Sequence, residues 1–178
     1  MKRLLLYLGI LFATASIVSA QNDLRHGSSP SRRWLTSDKQ SVVEIYWCKT
    51  SLCGKIVGLK ANRNLDGSYV LDRKNPDEKL RSQPICGRDT LTDFVPSHWN
   101  SKRAIWIGRF YDPFQGKEYK VALTAHRPDE VILHMPRRGF LWPGQMLRWT
   151  LYTGQVGSDC KMIETDLQGS SRLRAQAE

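Results

Sequence analysis

The chain has 178 residues, with 27 lysine and arginine and 17 aspartate and glutamate side chains, and its formal net charge at pH 7 is +10. This length fits one domain with its own hydrophobic core, and the positive charge favours anionic surroundings or a basic surface that serves solubility alone. Apart from residues 1–20, no segment is apolar enough to span a bilayer, which argues against an integral membrane protein.

Residues 1–20 have the layout of a secretory signal peptide. Lys2 and Arg3 give a basic start, residues 4–18 form an almost unbroken apolar run, and Val18-Ser19-Ala20 offers small residues for cleavage. An uncleaved N-terminal anchor is the alternative, although this apolar run is short for a membrane span. Such a peptide would direct the chain to the periplasm or the medium, where nucleic acid is not an expected partner, and its cleavage would remove two basic residues.

Short runs rich in β-branched and aromatic residues, separated by turn signals, predict antiparallel strands. After a polar, disordered linker at residues 21–33, the folded domain is expected to span residues 34–153, and a polar tail follows at residues 154–178. The predicted strands are Ser41 to Cys48, Cys53 to Leu59, Ala104 to Tyr111, Lys117 to Thr124, Glu130 to Met135 and Gln145 to Tyr152. This pattern indicates a mainly β protein, an antiparallel barrel or sandwich with one short helix.

The helix is predicted inside the segment Asp72 to Gly87, whose first ten residues carry seven charges. Asn75 can cap a helix that has Pro76 at its first position and Glu78 two residues further on. Pro84 must end this helix early, because the residue before a proline avoids helical geometry. The segment is therefore expected to form a fixed polar corner.

Arg81 is the candidate functional residue of this corner, and two interpretations are open for it. Its guanidinium could bind a ligand carboxylate or phosphate through two hydrogen bonds. Alternatively, it could pair with Asp72 or Asp77 and clamp the corner to the barrel, which dense mixed charge favours. Gly87 ends the predicted structural motif.

All four cysteines follow the predicted cleavage site, and an even number in an oxidising compartment predicts two disulfides. Cys48 and Cys53 flank a four-residue turn between two predicted strands, so they could face each other across a hairpin. Cys86 with Cys160 follows by elimination and would tie the polar corner to the C-terminal tail. The spacing does not fit a zinc site.

Short blocks between Trp34 and Thr150 carry a family resemblance. They are Trp34-Leu35-Thr36, Val43-Glu44-Ile45 before Cys48, Leu52 to Val57, Asp72 to Gly87, Trp106-Ile107-Gly108, Tyr111-Asp112-Pro113, Gly116-Lys117 with Tyr119, and Trp149-Thr150. In this order and spacing they resemble domain-of-unknown-function family 2147, a family of bacterial exported proteins. The resemblance implies a lipocalin- or calycin-like barrel of about eight strands and supplies no activity or catalytic residues.

A barrel of this size holds either packed side chains or one small ligand. If it is hollow, the inward-facing residues expected to line it are Trp106, Tyr119, Val121, Leu133 and Trp149. The leading hypothesis is an exported, monomeric, non-enzymatic protein that binds a small hydrophobic or amphiphilic ligand. One form of this hypothesis has an anionic ligand. The alternative is an envelope protein that binds an anionic polymer or lipid through its basic surface.

Catalysis has no support from a sequence motif. Asp112-Pro113 and Gly116-Lys117 lack the spacing of a phosphate-binding loop and predict a hairpin turn in which Asp112 accepts backbone N–H groups. The histidines show no metal-ligand spacing, so neither a metal nor a cofactor is expected. A hydrolase using carboxylates such as Asp72 and Asp112 is the least favoured hypothesis, because the two would have to lie together in a cleft.

Overall fold

The computed structural model describes residues 29–100, 103–135 and 144–163 of the chain. The predicted signal peptide, most of the predicted linker and the end of the predicted tail lie outside these residues. The side chains of residues 98–100, 103–104 and 126 are also not described.

Eight antiparallel strands form a closed barrel in which each strand pairs with the next and β8 returns to β1. The strands are β1 (Arg33–Leu35), β2 (Ser41–Cys48), β3 (Ser51–Leu59), β4 (Asp89–Asn100), β5 (Arg103–Asp112), β6 (Lys117–Arg127), β7 (Glu130–His134) and β8 (Met146–Leu151). The ring closes between β1 and β8 through two residue pairs, Trp34 with Leu151 and Leu35 with Thr150. The prediction of a mainly β, antiparallel eight-stranded barrel is confirmed.

Alternating side chains fill one half of the barrel. Along β3, Leu52, Gly54 and Ile56 are buried while the residues between them are partly exposed, as expected for a strand with one face on the core. Gly108 on β5 allows the Phe94 ring to lie directly against the strand, because a Cβ atom there would overlap that ring. The core includes Trp34, Ile45, Leu52, Leu91, Phe94, Trp106, Val121, Leu123, Val131 and Leu133.

Strand β4 is absent from the predicted strands. It contains Pro96, which is disfavoured within a sheet, and its pairing with β5 shifts register between Thr92 and Val95 and again between Pro96 and His98. Such bulges break the simple alternation by which strands are recognised in a sequence. The irregular pattern explains the omission.

The predicted short α-helix is wrong, and the part of the chain that the structure describes has only one 3₁₀ turn, Glu78–Leu80. Asn75 does not cap it, because its Nδ2 donates to Asp72 and its Oδ1 accepts the N–H of Asp77 at 2.9 Å. Asp77 caps the turn instead, accepting the N–H of Lys79 at 3.0 Å. Within the described residues, no helix has the length and apolar character needed to cross a membrane.

A small hairpin follows the barrel and covers part of its outer wall. Strands β9 (Gln155–Val156) and β10 (Met162–Ile163) pair with each other. A Cβ atom at Gly58 would lie 3.2 Å from side-chain atoms of both Val156 and Met162, so this glycine allows the hairpin to approach closely. Val156 and Met162 of the expected polar tail are therefore packed against the barrel.

The four cysteines form two disulfides, Cys48–Cys53 and Cys86–Cys160, with Cα–Cα distances of 5.8 and 6.1 Å. The first closes the β2–β3 hairpin. The second joins the β3–β4 connection to the turn between β9 and β10. These are the two pairs that the sequence predicts.

Candidate functional site

A cavity of about 640 Å³ occupies one end of the barrel. Alternate connections of an up-and-down barrel lie at the same end, and the β1–β2 and β5–β6 connections both contribute residues to the wall of this opening. We call this space the mouth cavity. Its lining consists of Thr36, Ser37, Asp38, Ser41, Val43, Ile56, Thr90, Phe110, Asp112, Pro113, Phe114, Gln115, Lys117, Tyr119, Met135, Gln145, Leu147 and Trp149.

The wall of the mouth cavity is largely apolar and aromatic. The rings of Phe110 and Tyr119 are stacked, with centroids 6.4 Å apart, while Phe110 meets Trp149 edge-on at 6.0 Å. Val43 and Leu147 add aliphatic surface. The free energy of the system falls when an apolar ligand displaces water from such a surface.

Three of the five residues predicted to line a hollow barrel do not line the mouth cavity. Tyr119 and Trp149 do line it, whereas Trp106, Val121 and Leu133 are buried in the filled half, with exposed fractions of 4%, 2% and 0%. All five face inward, as the alternation indicates. The boundary between the packed core and the mouth cavity depends on the side chains of all eight strands. The sequence of a single strand therefore does not reveal it.

Several lining residues were missed by the sequence reasoning, although the same alternation could have found some of them. Phe110 follows Trp106 and Gly108 on the inner face of β5, and Leu147 precedes Trp149 on the inner face of β8. Ser41 begins β2 two residues before Val43 and is almost fully buried. The period of two was the available signal.

Trp106 leaves one polar atom unmatched in the filled half of the barrel. Its Nε1 is buried and has no hydrogen-bond partner in the described part of the chain. By contrast, Trp34 Nε1 donates to the Pro30 carbonyl oxygen at 2.7 Å. Burying an unpaired donor costs about 1–3 kcal/mol, so this position is not optimised for stability.

The two carboxylates at the cavity rim are held by the turns that carry them. Asp112 Oδ1 accepts the N–H groups of Phe114 at 2.9 Å and Gln115 at 3.2 Å, and Oδ2 accepts Gln115 Nε2 at 2.7 Å. Asp38 Oδ1 accepts the Thr36 hydroxyl at 2.7 Å and the N–H of Gln40 at 3.0 Å. Both carboxylates therefore stabilise local turns.

The polar corner supports one side of the rim. Lys74 Nζ donates to the Phe114 carbonyl oxygen at 2.7 Å. Gly116 has a φ of 67° and lies so close to the Lys74 backbone that a Cβ atom would overlap it. The corner thereby holds the β5–β6 turn in place beside the mouth cavity.

Asp72 is the buried centre of this corner, and its side chain has no solvent exposure. Its carboxylate accepts the Tyr111 hydroxyl at 2.7 Å and Asn75 Nδ2 at 2.7 Å. Arg88 Nε lies 3.1 Å from Oδ2, and this contact is an ion pair rather than a well-directed hydrogen bond. Burial raises the pKa of Tyr111 well above its usual range, and the bond to Asp72 raises that pKa further.

The predicted clamp between Arg81 and Asp72 or Asp77 is wrong, because Arg88 is the cation that pairs with Asp72. Arg81 donates from Nε to the Asn75 carbonyl oxygen at 2.8 Å, and its Nη1 lies 3.1 Å from Glu78. It does not line the mouth cavity. Arg88 lies just before β4, close to where β5 brings Tyr111, and the sequence cannot rank it above the many nearer cations.

A second concavity of about 550 Å³ lies on the outer wall of β5 to β8. It is lined by Ile105, Ala122, Thr124, Arg127, Glu130, Ile132, His134 and Arg148. Arg148 pairs with Glu130 at 3.0 Å, and the His134 ring lies 3.0 Å from the Thr124 hydroxyl. We call this the outer groove. Nowhere in residues 29–100, 103–135 and 144–163 do three or more acidic, histidine or cysteine side chains form a group that could hold a metal ion.

Comparison with solved structures supports the barrel assignment. The chain is similar to protein HP1028 from the human pathogen Helicobacter pylori, which is described as belonging to the lipocalin family. The two share 21% sequence identity with a TM-score of 0.53, over 70% of this chain and 84% of that one. This likeness shows the fold alone.

Comparison of the sequence identifies a family, while no curated protein matches the chain. Residues 33–151, more than half of the chain, match the family described as "Uncharacterized protein conserved in bacteria (DUF2147)". The matched range coincides closely with the barrel, from the first residue of β1 to the last residue of β8. The chain therefore belongs to the DUF2147 family.

Proposed function

We propose that this protein binds a small hydrophobic or amphiphilic ligand in the mouth cavity. The observation that carries the proposal is an open space of about 640 Å³ with an aromatic and aliphatic wall inside a closed barrel. Ligand sites in proteins span roughly 300–1,000 Å³ and combine apolar surface with a few polar groups. The lipocalin-like fold supports a binding role.

The carboxylates considered for hydrolysis are poorly suited to it. Asp72 is fully buried and engaged with Tyr111, Asn75 and Arg88. Asp112 is occupied by the N–H groups of its own turn. Neither side chain is left to activate a water molecule, so a binding role accounts better for the arrangement.

Export is part of the proposal. Two disulfides are consistent with a location outside the cytoplasm, where an oxidising environment preserves them. The ligand would then be a molecule of the bacterial envelope or its surroundings. The predicted signal peptide at residues 1–20 lies outside the described residues and supports this location from sequence alone.

A pair of variants on β8 tests the proposal with the dye 1-anilinonaphthalene-8-sulfonate, whose fluorescence rises in apolar sites. Leu147 lines the cavity, whereas its neighbour Met146 is 56% exposed outside it. We expect Leu147→Trp to fill space and weaken dye binding at least about fivefold, because the ligand volume is lost. Met146→Trp should bind the dye as the wild type does.

The proposal fails if the wild-type protein does not bind the dye, or if the two variants bind it equally. Native mass spectrometry of protein purified from its own envelope provides a second measurement. A co-purified amphiphile that disappears in Leu147→Trp supports the proposal.

The outer groove supports a second candidate function, binding of an anionic lipid surface through the barrel wall. Ile105 and Ile132 provide an apolar base, and Arg127 and Arg148 lie beside them. Sedimentation with vesicles of anionic or zwitterionic lipid tests it. Binding to anionic vesicles that weakens with salt and with Arg127→Gln supports this function, and equal binding to both vesicle types contradicts it.

A further inference from the structure

We propose that the mouth cavity selects a single-chain amphiphile with an anionic oxygen head, bound at Lys117 and Ser41. This inference rests on the proposed binding function and names its ligand class. The head would lie across the opening, and the apolar chain would extend inward onto Phe110 and Trp149. Three observations on the polar groups of the cavity carry it.

The first observation is that both acidic side chains of the rim already have donors. Asp112 accepts three hydrogen bonds from the turn that follows it. Asp38 accepts two from Thr36 and Gln40. The protein itself thus engages both oxygens of Asp112 and Oδ1 of Asp38, and of these two carboxylates only Asp38 Oδ2 accepts no hydrogen bond within the described residues.

The second observation is that Lys117 is a cation without a partner in the part of the chain that the structure describes. It lies on the inner face of β6, two residues before Tyr119, and lines the cavity. Its register partner across the sheet is Asp112, yet the two form no ion pair. Within the described residues its ammonium group makes no hydrogen bond or ion pair. Lys117 is exposed at the rim, so its ammonium group donates to water in the free protein and can exchange that water for an anionic ligand oxygen.

The third observation concerns Ser41, which lines the cavity although only 3% of its surface is exposed. Its backbone is fixed by Thr36, which donates through its N–H at 2.9 Å and accepts from the Ser41 N–H through its hydroxyl at 3.0 Å. The Ser41 hydroxyl itself has no partner in the part of the chain that the structure describes. Its Oγ is not one of the sealed, unpaired atoms of the interior, so it is open to the cavity and available to a ligand oxygen that displaces water.

The two residues lie on opposite walls at the same end of the barrel, because each begins its strand and β2 and β6 are four strands apart in a ring of eight. A head with several oxygens, such as a carboxylate or phosphate, can accept from both sides at once. A neutral alcohol head satisfies Ser41 but leaves the ammonium group unmatched. The arrangement therefore discriminates by the charge of the head rather than by the apolar chain.

Titrations of the full exported chain with three matched probes test this inference: dodecanoate, dodecyl phosphate and dodecan-1-ol, followed by tryptophan fluorescence. We expect an anionic probe to bind about tenfold more tightly than the alcohol, since a hydrogen bond to a charged group is stronger than a neutral one. Tighter binding of dodecanoate identifies a carboxylate head, and tighter binding of dodecyl phosphate identifies a phosphate head.

Variants then assign the residues. Lys117→Gln should remove the preference for the anionic probes and leave dodecan-1-ol binding unchanged. Lys120→Gln is the matched control, because Lys120 is an exposed lysine of the same strand that does not line the cavity. Ser41→Ala should weaken all three probes severalfold while the melting temperature changes little, because the hydroxyl has no protein partner to lose.

Equal binding of the three probes to the wild type overturns the inference, as does an unchanged preference in Lys117→Gln. In either case the proposed function stands if Leu147→Trp still blocks the probes. If no probe binds and the dye does not bind either, the proposed function itself fails.

Discussion

Arg88 and Asp72 form the ion pair that fixes the β3–β4 connection to the barrel, with Arg88 Nε 3.1 Å from Asp72 Oδ2. The Asp72 side chain is completely buried and that of Arg88 is 16% exposed. A buried charge that loses its partner is costly, whereas exposed ion pairs contribute little. The stability of the corner should therefore depend on Arg88 rather than on the more exposed charges around it.

Arg88→Met is expected to lower the free energy of unfolding by about 3–5 kcal/mol, because Asp72 keeps a buried charge without its cation. Arg81→Met is the matched control and should cost about 1 kcal/mol or less, since Arg81 pairs with the exposed Glu78. Urea denaturation measures both. Equal losses in the two variants would contradict the assignment of Arg88 as the clamp.

Tyr111→Phe should change how stability depends on alkaline pH. The pKa of Tyr111 is raised in the folded protein above its ordinary value of 10.0, so the unfolded chain loses this proton first. The stabilisation is complete below about pH 10 and is lost as the pH rises above that value. The phenylalanine variant lacks this loss.

The measurement is the free energy of unfolding between pH 8 and 11, taken as the difference between Tyr111→Phe and wild type. That difference should shrink as the pH rises. Tyr69→Phe, at an exposed tyrosine, serves as the control. A difference that stays constant across this range would show that Tyr111 does not titrate in this way.

Gly108→Ala is expected to destabilise the barrel by about 1–3 kcal/mol, because its Cβ atom would overlap the Phe94 ring. Phe94→Leu makes room at this contact. The double variant should therefore lose less stability than the sum of the two single variants. Thermal unfolding checks this expectation, and strict additivity would mean that the two residues do not compete for space.

The two disulfides should contribute unequally to stability. Cys86–Cys160 closes a separation of 74 residues and Cys48–Cys53 one of 5. In the chain-entropy model, replacing each pair by serines costs about 4 kcal/mol for the longer loop and about 2 kcal/mol for the shorter one. Urea denaturation of the two double variants measures the order, and a reversed order would contradict the entropic origin.

The sequence was a good guide to the barrel because most strands show a period of two or bounded β-branched runs. The prediction was wrong where a contact formed only in the folded protein, or an irregular strand pairing, outweighed the local sequence pattern. Asn75 and Pro76 form a plausible helix start, but Asn75 is engaged by Asp72, a contact that exists only in the folded corner. Pro96 concealed β4, because proline argues against a strand unless bulges accommodate it.

The mouth cavity was predictable only in part. Alternation identified Tyr119 and Trp149 as inward-facing, and both line the space. It could not separate them from Val121, which faces inward at a depth where neighbouring strands leave no room. Whether an inward residue meets a ligand or another side chain depends on strand tilt and on residues such as Phe94 from distant parts of the chain.

The closure of the barrel determines where local unfolding should begin. Strand β1 has three residues and joins β8 through only two residue pairs, whereas β5 and β6 share eight. Hydrogen exchange should therefore begin at this seam, since short pairings open first. Opening exposes two unpaired strand edges at once, which are templates for association between molecules. Trp34 is fully buried beside this seam, so its packing helps to keep the two strand edges paired and away from other molecules.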